Sequence, residues 1–187
     1  MIILFRYRPI KLYVIAFVLM FLSFRASAQS YMGYTIKNSL LKTTPSLGGI
    51  TTGKVPVSSN IFLISLYNYS GYYNVIDVNT NKEGYIAKAN LKVGKEVLKS
   101  EGGLFSANGD AKGIVPDVEI FNNTSRVLTL RLNDSTYTVP PNSKNVIALA
   151  IGNCEYRASA PGVMPMIGIE NVEGGHSYQW QFYLSKK

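Results

Sequence analysis

The sequence predicts an all-β protein of two small units behind a removable leader. Three observations carry this expectation. Short apolar runs rich in Val, Ile, Leu and Tyr recur between breaker residues. No stretch beyond the leader sustains a helical period. A Gly-rich segment, residues 99–116, divides the remaining chain into two strand-rich parts.

Residues 1–28 read as a signal peptide. Arg6, Arg8 and Lys11 give a basic start, and residues 12–24 form an apolar run. That run is shorter than the roughly 20 residues a helical membrane span needs. Ala26-Ser27-Ala28 supplies the small-x-small pattern of a cleavage site, with Gln29 following. The competing reading is a permanent N-terminal anchor. Cleavage makes the protein exported, periplasmic or extracellular, and leaves it no stable transmembrane anchor.

Charge and cysteine content bound the partners. The chain holds 19 Lys and Arg against 11 Asp and Glu, a formal +8. Four of the basic residues lie in the leader, so 15 remain against 11, a net +4. Residues 32–98 carry this excess, with seven basic and three acidic residues, while 117–187 hold six of each. A mildly basic first unit favours an anionic surface such as a wall polymer. A solvated surface kept soluble by lysines accounts for the same count. The excess is too small, in an exported chain, to argue for nucleic acid. Cys154 is the only cysteine, which excludes an intramolecular disulfide and leaves stability to the cores. It alternates with Glu155 and Arg157, on the apolar side with Tyr156 and Ala158 near it, and reads as a small buried residue.

In the first unit, residues 32–98, Tyr34-Thr35-Ile36 begins the ordered chain, Leu40-Leu41 and Val55 follow, the runs 61–66 and 73–78 read as strands, and Tyr85-Ile86-Ala87 closes the set. Residues 79–84 read as a polar hairpin loop between the last two. About five short strands over this length fit a small barrel. The motif order adds a resemblance. Leu41-Lys42-Thr43-Thr44-Pro45-Ser46, Gly53-Lys54-Val55, Gly71-Tyr72-Tyr73-Asn74-Val75, and Gly84-Tyr85-Ile86 with Asn90-Leu91 follow one another as in bacterial SH3-like domains of the cell-envelope type. The segment resembles that family over about a third of the chain. Lys42 stands where the family has Arg, and Tyr stands at both expected Trp positions. The resemblance implies a groove used for binding cell-wall peptide, glycan or a short protein segment. Tyrosines cluster here, at 67, 69, 72, 73 and 85, and their faces can stack on sugars or peptide planes. Tyr69, Tyr72 and Tyr85 are the expected ligand-binding residues; the alternative is that these rings pack on the barrel.

Residues 99–116 read as a flexible linker, because little apolar surface offsets the cost of ordering them. The second unit, residues 117–187, shows seven short strands, at 118–121, 126–132, 135–139, 146–151, 154–160, 166–172 and 177–184. Their regular spacing predicts an immunoglobulin-like β-sandwich without a cysteine pair. Residues 146–151 form a continuous apolar run, expected to be buried on both faces. Trp180 is expected as the central core aromatic. The apolar stretch 158–165 reads as a loop folded over the sandwich end or, if exposed, as a contact patch. The chain as a whole resembles secreted bacterial proteins in which an SH3-like domain precedes a small β domain.

Chemistry-bearing constellations are not apparent. His176 is the sole histidine and no nucleophile elbow exists for it to serve. One His and one Cys do not make a usual zinc set. Glu170 and Glu173 are neighbours, yet no cleft-bearing domain for a glycosidase pair is evident. The expectation is a non-catalytic binding protein with no cofactor or metal. Its partner would be a cell-wall peptide or glycan, or an envelope protein. The alternative is a structural partner of other envelope proteins through the C-terminal β unit.

Overall fold

The computed structural model describes residues 29–183. The leader with its cleavage site, and Leu184 at the end of the last expected strand, lie outside the described residues. The described chain is all-β, with a single 3-10 turn at Lys88–Asn90.

Seven strands come first: β1 (Ser30–Thr35), β2 (Ser39–Lys42), β3 (Thr51–Val55), β4 (Asn60–Leu63), β5 (Tyr72–Asp77), β6 (Lys82–Ala87) and β7 (Leu91–Val97). They form one antiparallel sheet in the order β3-β2-β6-β5-β4-β1-β7. One face carries Leu41, Val55, Ile61, Leu63, Tyr73, Val75, Ile86 and Leu91, all buried in one cluster. Those residues come from six strands of this sheet and from nowhere else. The sheet therefore buries the face by curling over it rather than by stacking on a second layer. Gly84 permits the tightest part of the curl. A Cβ there would lie 2.7 Å from the Lys42 carbonyl oxygen and 2.9 Å from Leu41 Cγ.

Alternation fixes which residues face out. Tyr73 and Val75 enter the core, so Tyr72, Asn74 and Ile76 point the other way. The β5–β6 turn is shorter than the expected 79–84 loop, because Lys82, Glu83 and Gly84 pair within β6. Buried Asp77 closes it: Oδ1 accepts from the Asn79 amide at 3.2 Å and Oδ2 from the Thr80 hydroxyl at 2.6 Å.

Nine further strands follow: β8 (Ser100–Glu101), β9 (Ser106–Asp110), β10 (Asp117–Asn122), β11 (Leu128–Leu132), β12 (Ser135–Val139), β13 (Ser143–Ala148), β14 (Gly152–Ala160), β15 (Val163–Val172) and β16 (His176–Phe182). They form a four-stranded sheet, β13-β10-β16-β9, and a five-stranded sheet, β12-β11-β14-β15-β8. The two sheets share one core, built from Val118, Ile120, Trp180 and Phe182 on one side and Leu128, Leu130, Cys154 and Tyr156 on the other. Trp180 and Phe182 meet edge to face at 6.0 Å. Each sheet includes one parallel pair, β10 with β16 and β15 with β8. At one end, Asn122 is fully buried. Its amide donates to the carbonyls of Arg126, Val139 and Pro140, and its oxygen accepts from Thr124.

Three further expectations change. The segment 99–116, read as a flexible linker, supplies β8 and β9, which pair with β15 and β16. Phe105 enters the second core with Leu104 packed against it, and the backbones of β8 and β9 pair with β15 and β16; these contacts order the segment despite its breaker-rich composition. The run 146–151, read as buried on both faces, alternates instead. Ile147 and Leu149 face the core, while Val146 and Ile151 are exposed. β13 is an edge strand of its sheet, with Val146 on its outer side open to solvent. The stretch 158–165, read as a loop, is the tip of the β14–β15 hairpin, turning at Pro161-Gly162.

That tip reaches the first unit. Gly162 N–H donates to the Val78 carbonyl at 2.7 Å, and the Asn81 amide donates to Thr129 Oγ1 at 3.0 Å. Below this polar contact, Phe62, Ile76 and Val78 from the outer face of the first sheet bury Ile167 of β15. The two units are thus packed together through a small apolar seam with hydrogen bonds at its rim.

Candidate functional site

The tyrosines of the first unit are organised by one tight turn. Tyr69 and Tyr72 exchange backbone hydrogen bonds at 2.9 Å in both directions. Between them Ser70 and Gly71 both have positive φ, 51° and 87°. This is the backbone of a two-residue primed turn, in which Gly carries little strain. Asn68 Oδ1 accepts from the Gly71 amide at 2.6 Å and braces it.

Paired residues of an antiparallel ladder share a face, so Tyr69 lies on the side of Tyr72 and Asn74. Asn74 stands opposite Tyr85 in β6, which puts Tyr85 there too. All three expected tyrosines therefore occupy the outer face of the first sheet. The structure brings Tyr69 and Tyr85 into edge-to-face contact, with centroids 5.5 Å apart. Tyr72 lies one pair further along the same face and is half-buried. Tyr67 is an addition: its ring meets Tyr69 at 4.6 Å and is 66% exposed. Its two-residue offset from Tyr69 is the signal that could have singled it out. Tyr73 is core, with Lys88 Nζ 5.7 Å from its ring centroid.

One row across the same face leads from these rings to the second unit. Ile64 N–H donates to the Asn74 carbonyl at 3.1 Å, placing Ile64, Asn74 and Tyr85 side by side on three neighbouring segments. The Asn74 amide donates to Glu83 Oε1 at 3.1 Å, and Glu83 Oε2 accepts from Arg157 Nη2 at 2.5 Å. Asn74 Oδ1 is buried without a hydrogen-bond partner in this structure.

Beyond Ile64 opens a groove of about 810 Å³ between the units, walled by the outer face of β11, β14 and β15. Its lining mixes Lys99, Arg131 and Arg157 with Asp134 and Glu155, and with Ile64, Ile167 and Ile169. Lys99 Nζ lies 3.3 Å from Glu155 Oε1. Arg131 and Arg157 are direct cross-strand partners.

The inner side of β14 holds a buried titratable group set. Cys154 stands opposite Glu170 of β15, and the Glu170 carboxylate accepts from the Leu104 amide at 2.7 Å. Burial pushes the Cys154 thiol above its ordinary value, and nearby Glu170 adds to the rise. Burial likewise raises Tyr156; the Ser100 side chain opposes the rise and Glu170 adds to it. The Tyr156 hydroxyl is inaccessible and meets no partner at hydrogen-bonding geometry. Glu173, by contrast, is exposed and lies 3.7 Å from His176 Nε2, so the neighbouring glutamates of the sequence face different surroundings.

Among the described residues, no group of three His, Cys, Asp or Glu side chains gathers as a metal site would require, and no helix is long and apolar enough to cross a membrane. Comparison with protein-family models, with curated proteins and with solved structures yields no match for this chain.

Proposed function

We propose that the protein is a non-catalytic, exported binding protein. Its first unit is an SH3-like barrel that holds cell-wall peptide or glycan, or a short protein segment, on its tyrosine face. Its second is an immunoglobulin-like sandwich that braces the first. The observation that carries this reading is the aromatic cluster of Tyr67, Tyr69 and Tyr85 on the outer face of the curled sheet, with Tyr72 beside it. Rings held edge to face by a tight turn lose little freedom on binding, and their remaining faces are available for sugar or peptide planes. The leader motivates export, and the net +4 after cleavage suits an anionic wall polymer.

The test is retention of residues 29–187 on purified insoluble cell wall, beside a Tyr69→Ala, Tyr85→Ala double variant checked for folding by circular dichroism. The expected result is retention by the intact chain and a loss of about tenfold or more in the variant, since each ring contributes roughly 1 kcal/mol. Equal retention by both proteins would remove the tyrosine face from the reading. No retention by either would favour the alternative, a partner of envelope proteins through the second unit. The hairpin tip that motivated that alternative is covered within the chain at Ala158 and Ala160, leaving Met164 as its exposed apolar residue.

A further inference from the structure

The groove between the units carries a second inference, separate from the tyrosine face. Arg131 on β11 and Arg157 on β14 are direct cross-strand neighbours, an arrangement that like charges disfavour. The two guanidiniums are not equally compensated. Arg157 is largely buried, its side chain 13% exposed, and its Nη2 is held by Glu83 at 2.5 Å. The acid nearest to Arg131 is Asp134, at 3.9 Å and fully exposed, so it is screened by water. Arg131 Nε is oriented by the Asn133 carbonyl at 3.0 Å. A partly exposed guanidinium, fixed at its Nε and next to a second one, is placed to take a carboxylate with its remaining donors.

The rest of the groove selects among anions. Glu155 and Asp134 share the wall with the cations, which disfavours a dianion such as phosphate and tolerates a single carboxylate. Ile64 and Ile169, each half-buried, form an apolar strip alongside, which an inorganic ion would leave wet and an acyl or peptide chain would cover. The volume, about 810 Å³, lies within the roughly 300–1,000 Å³ range of small-ligand sites.

We propose that this groove binds the carboxylate of a short acidic peptide, with Arg131 as the anchoring cation and the isoleucine strip as the bed for its chain. Because Asn74 alone separates Ile64 from Tyr85 in the cross-strand row, a longer peptide seated here would extend onto the tyrosine face. That last clause rests on the reading of the tyrosines; the groove proposal does not.

The experiment uses residues 29–187 and two synthetic probes that differ by one charge, Ac-Ala-Glu-Gly-Ala-amide and Ac-Ala-Gln-Gly-Ala-amide, titrated by calorimetry. The expected result is measurable binding of the acidic probe and binding weaker by about tenfold or more for the neutral one. Arg131→Gln should lose the acidic probe to a similar extent, and Arg131→Lys should recover only part of it, because a point charge lacks the planar fork. Arg131 is only partly buried and outside the core, so its variants should fold, which the Trp180 emission of each variant checks. The Tyr69→Ala, Tyr85→Ala variant should bind the short probe normally, so the tyrosine reading and this one fail independently. Binding of neither probe, equal binding of both, or an unchanged Arg131→Gln would overturn the proposal. So would inorganic phosphate displacing the acidic probe at equal concentration, which would make the groove a simple anion site.

Discussion

Cys154 and Tyr156 enter the sandwich core from alternate positions of β14, and Glu170 faces Cys154 from β15. Both the thiol and the phenol are held above their ordinary values of 9.0 and 10.0, chiefly by burial. A raised value means that the folded protein keeps a proton the unfolded chain releases. Their contribution to stability is therefore fully present below about pH 9 and declines as pH rises through the raised folded values. The expected outcome is a plateau in urea-unfolding free energy from about pH 6 to 8 and a fall above about pH 9. A Cys154→Ala, Tyr156→Phe variant should show a shallower alkaline fall than the parent. Parallel profiles in the two proteins would mean that these groups are not its source. The burial of Cys154 is legible in the sequence because it alternates with Glu155 and Arg157. The carboxylate of Glu170 is not, because its one hydrogen bond comes from Leu104, 66 residues away, in a segment the composition assigns to a linker.

At the level of strands, β8 is the least self-evident element, two residues paired parallel to β15 at Gly168 and Ile169. Gly168 makes that pairing sterically possible. A Cβ there would collide with the Ser100 carbonyl oxygen and the Tyr156 hydroxyl. Gly168→Ala is expected to destabilise the protein by about 1–3 kcal/mol through overpacking. Gly113→Ala, which has open space around it, should change stability by less than about 0.5 kcal/mol. Similar effects at both positions, measured by urea unfolding, would show that β8 does not dock as described. Local hairpins such as β5–β6 and β11–β12 are legible because turn chemistry and alternation sit within about a dozen residues of each other. β8 and β9 are not, since polar edge strands take their order from neighbours. The parallel β10–β16 pair escapes for a related reason: Asp117 meets Ser177 across nearly the whole second unit. The same division runs through the candidate site. Tyr69, Tyr72 and Tyr85 stand out as aromatics at strand positions, and the ladder register places them on one face. The groove joins residues as distant as Ile64 and Arg131, so no local pattern announces it.

Across the whole molecule, the seam between the units decides whether the groove is a fixed shape. It consists of Phe62, Ile76 and Val78 around Ile167, the Arg157–Glu83 ion pair, and hydrogen bonds from Gly162 and Asn81. Ile167 is both a seam residue and part of the groove wall, so packing of the units and formation of the site are one event. Each unit also has its own core, which would let the two melt apart if the seam were weak. Ile167→Ala should cost about 2–5 kcal/mol if the seam holds as packed. The sole tryptophan, Trp180, lies in the second core and reports that unit alone, whereas far-ultraviolet circular dichroism reports both. In the parent protein the two signals should follow one urea transition, the mark of a cooperative unit. In Ile167→Ala the seam gives way before either core, so the dichroism transition should broaden and separate from the Trp180 transition. Separate transitions already in the parent would mean that the seam does not couple the units. The groove would then open and close with their relative motion, and its ligand would have to supply the free energy that holds them together.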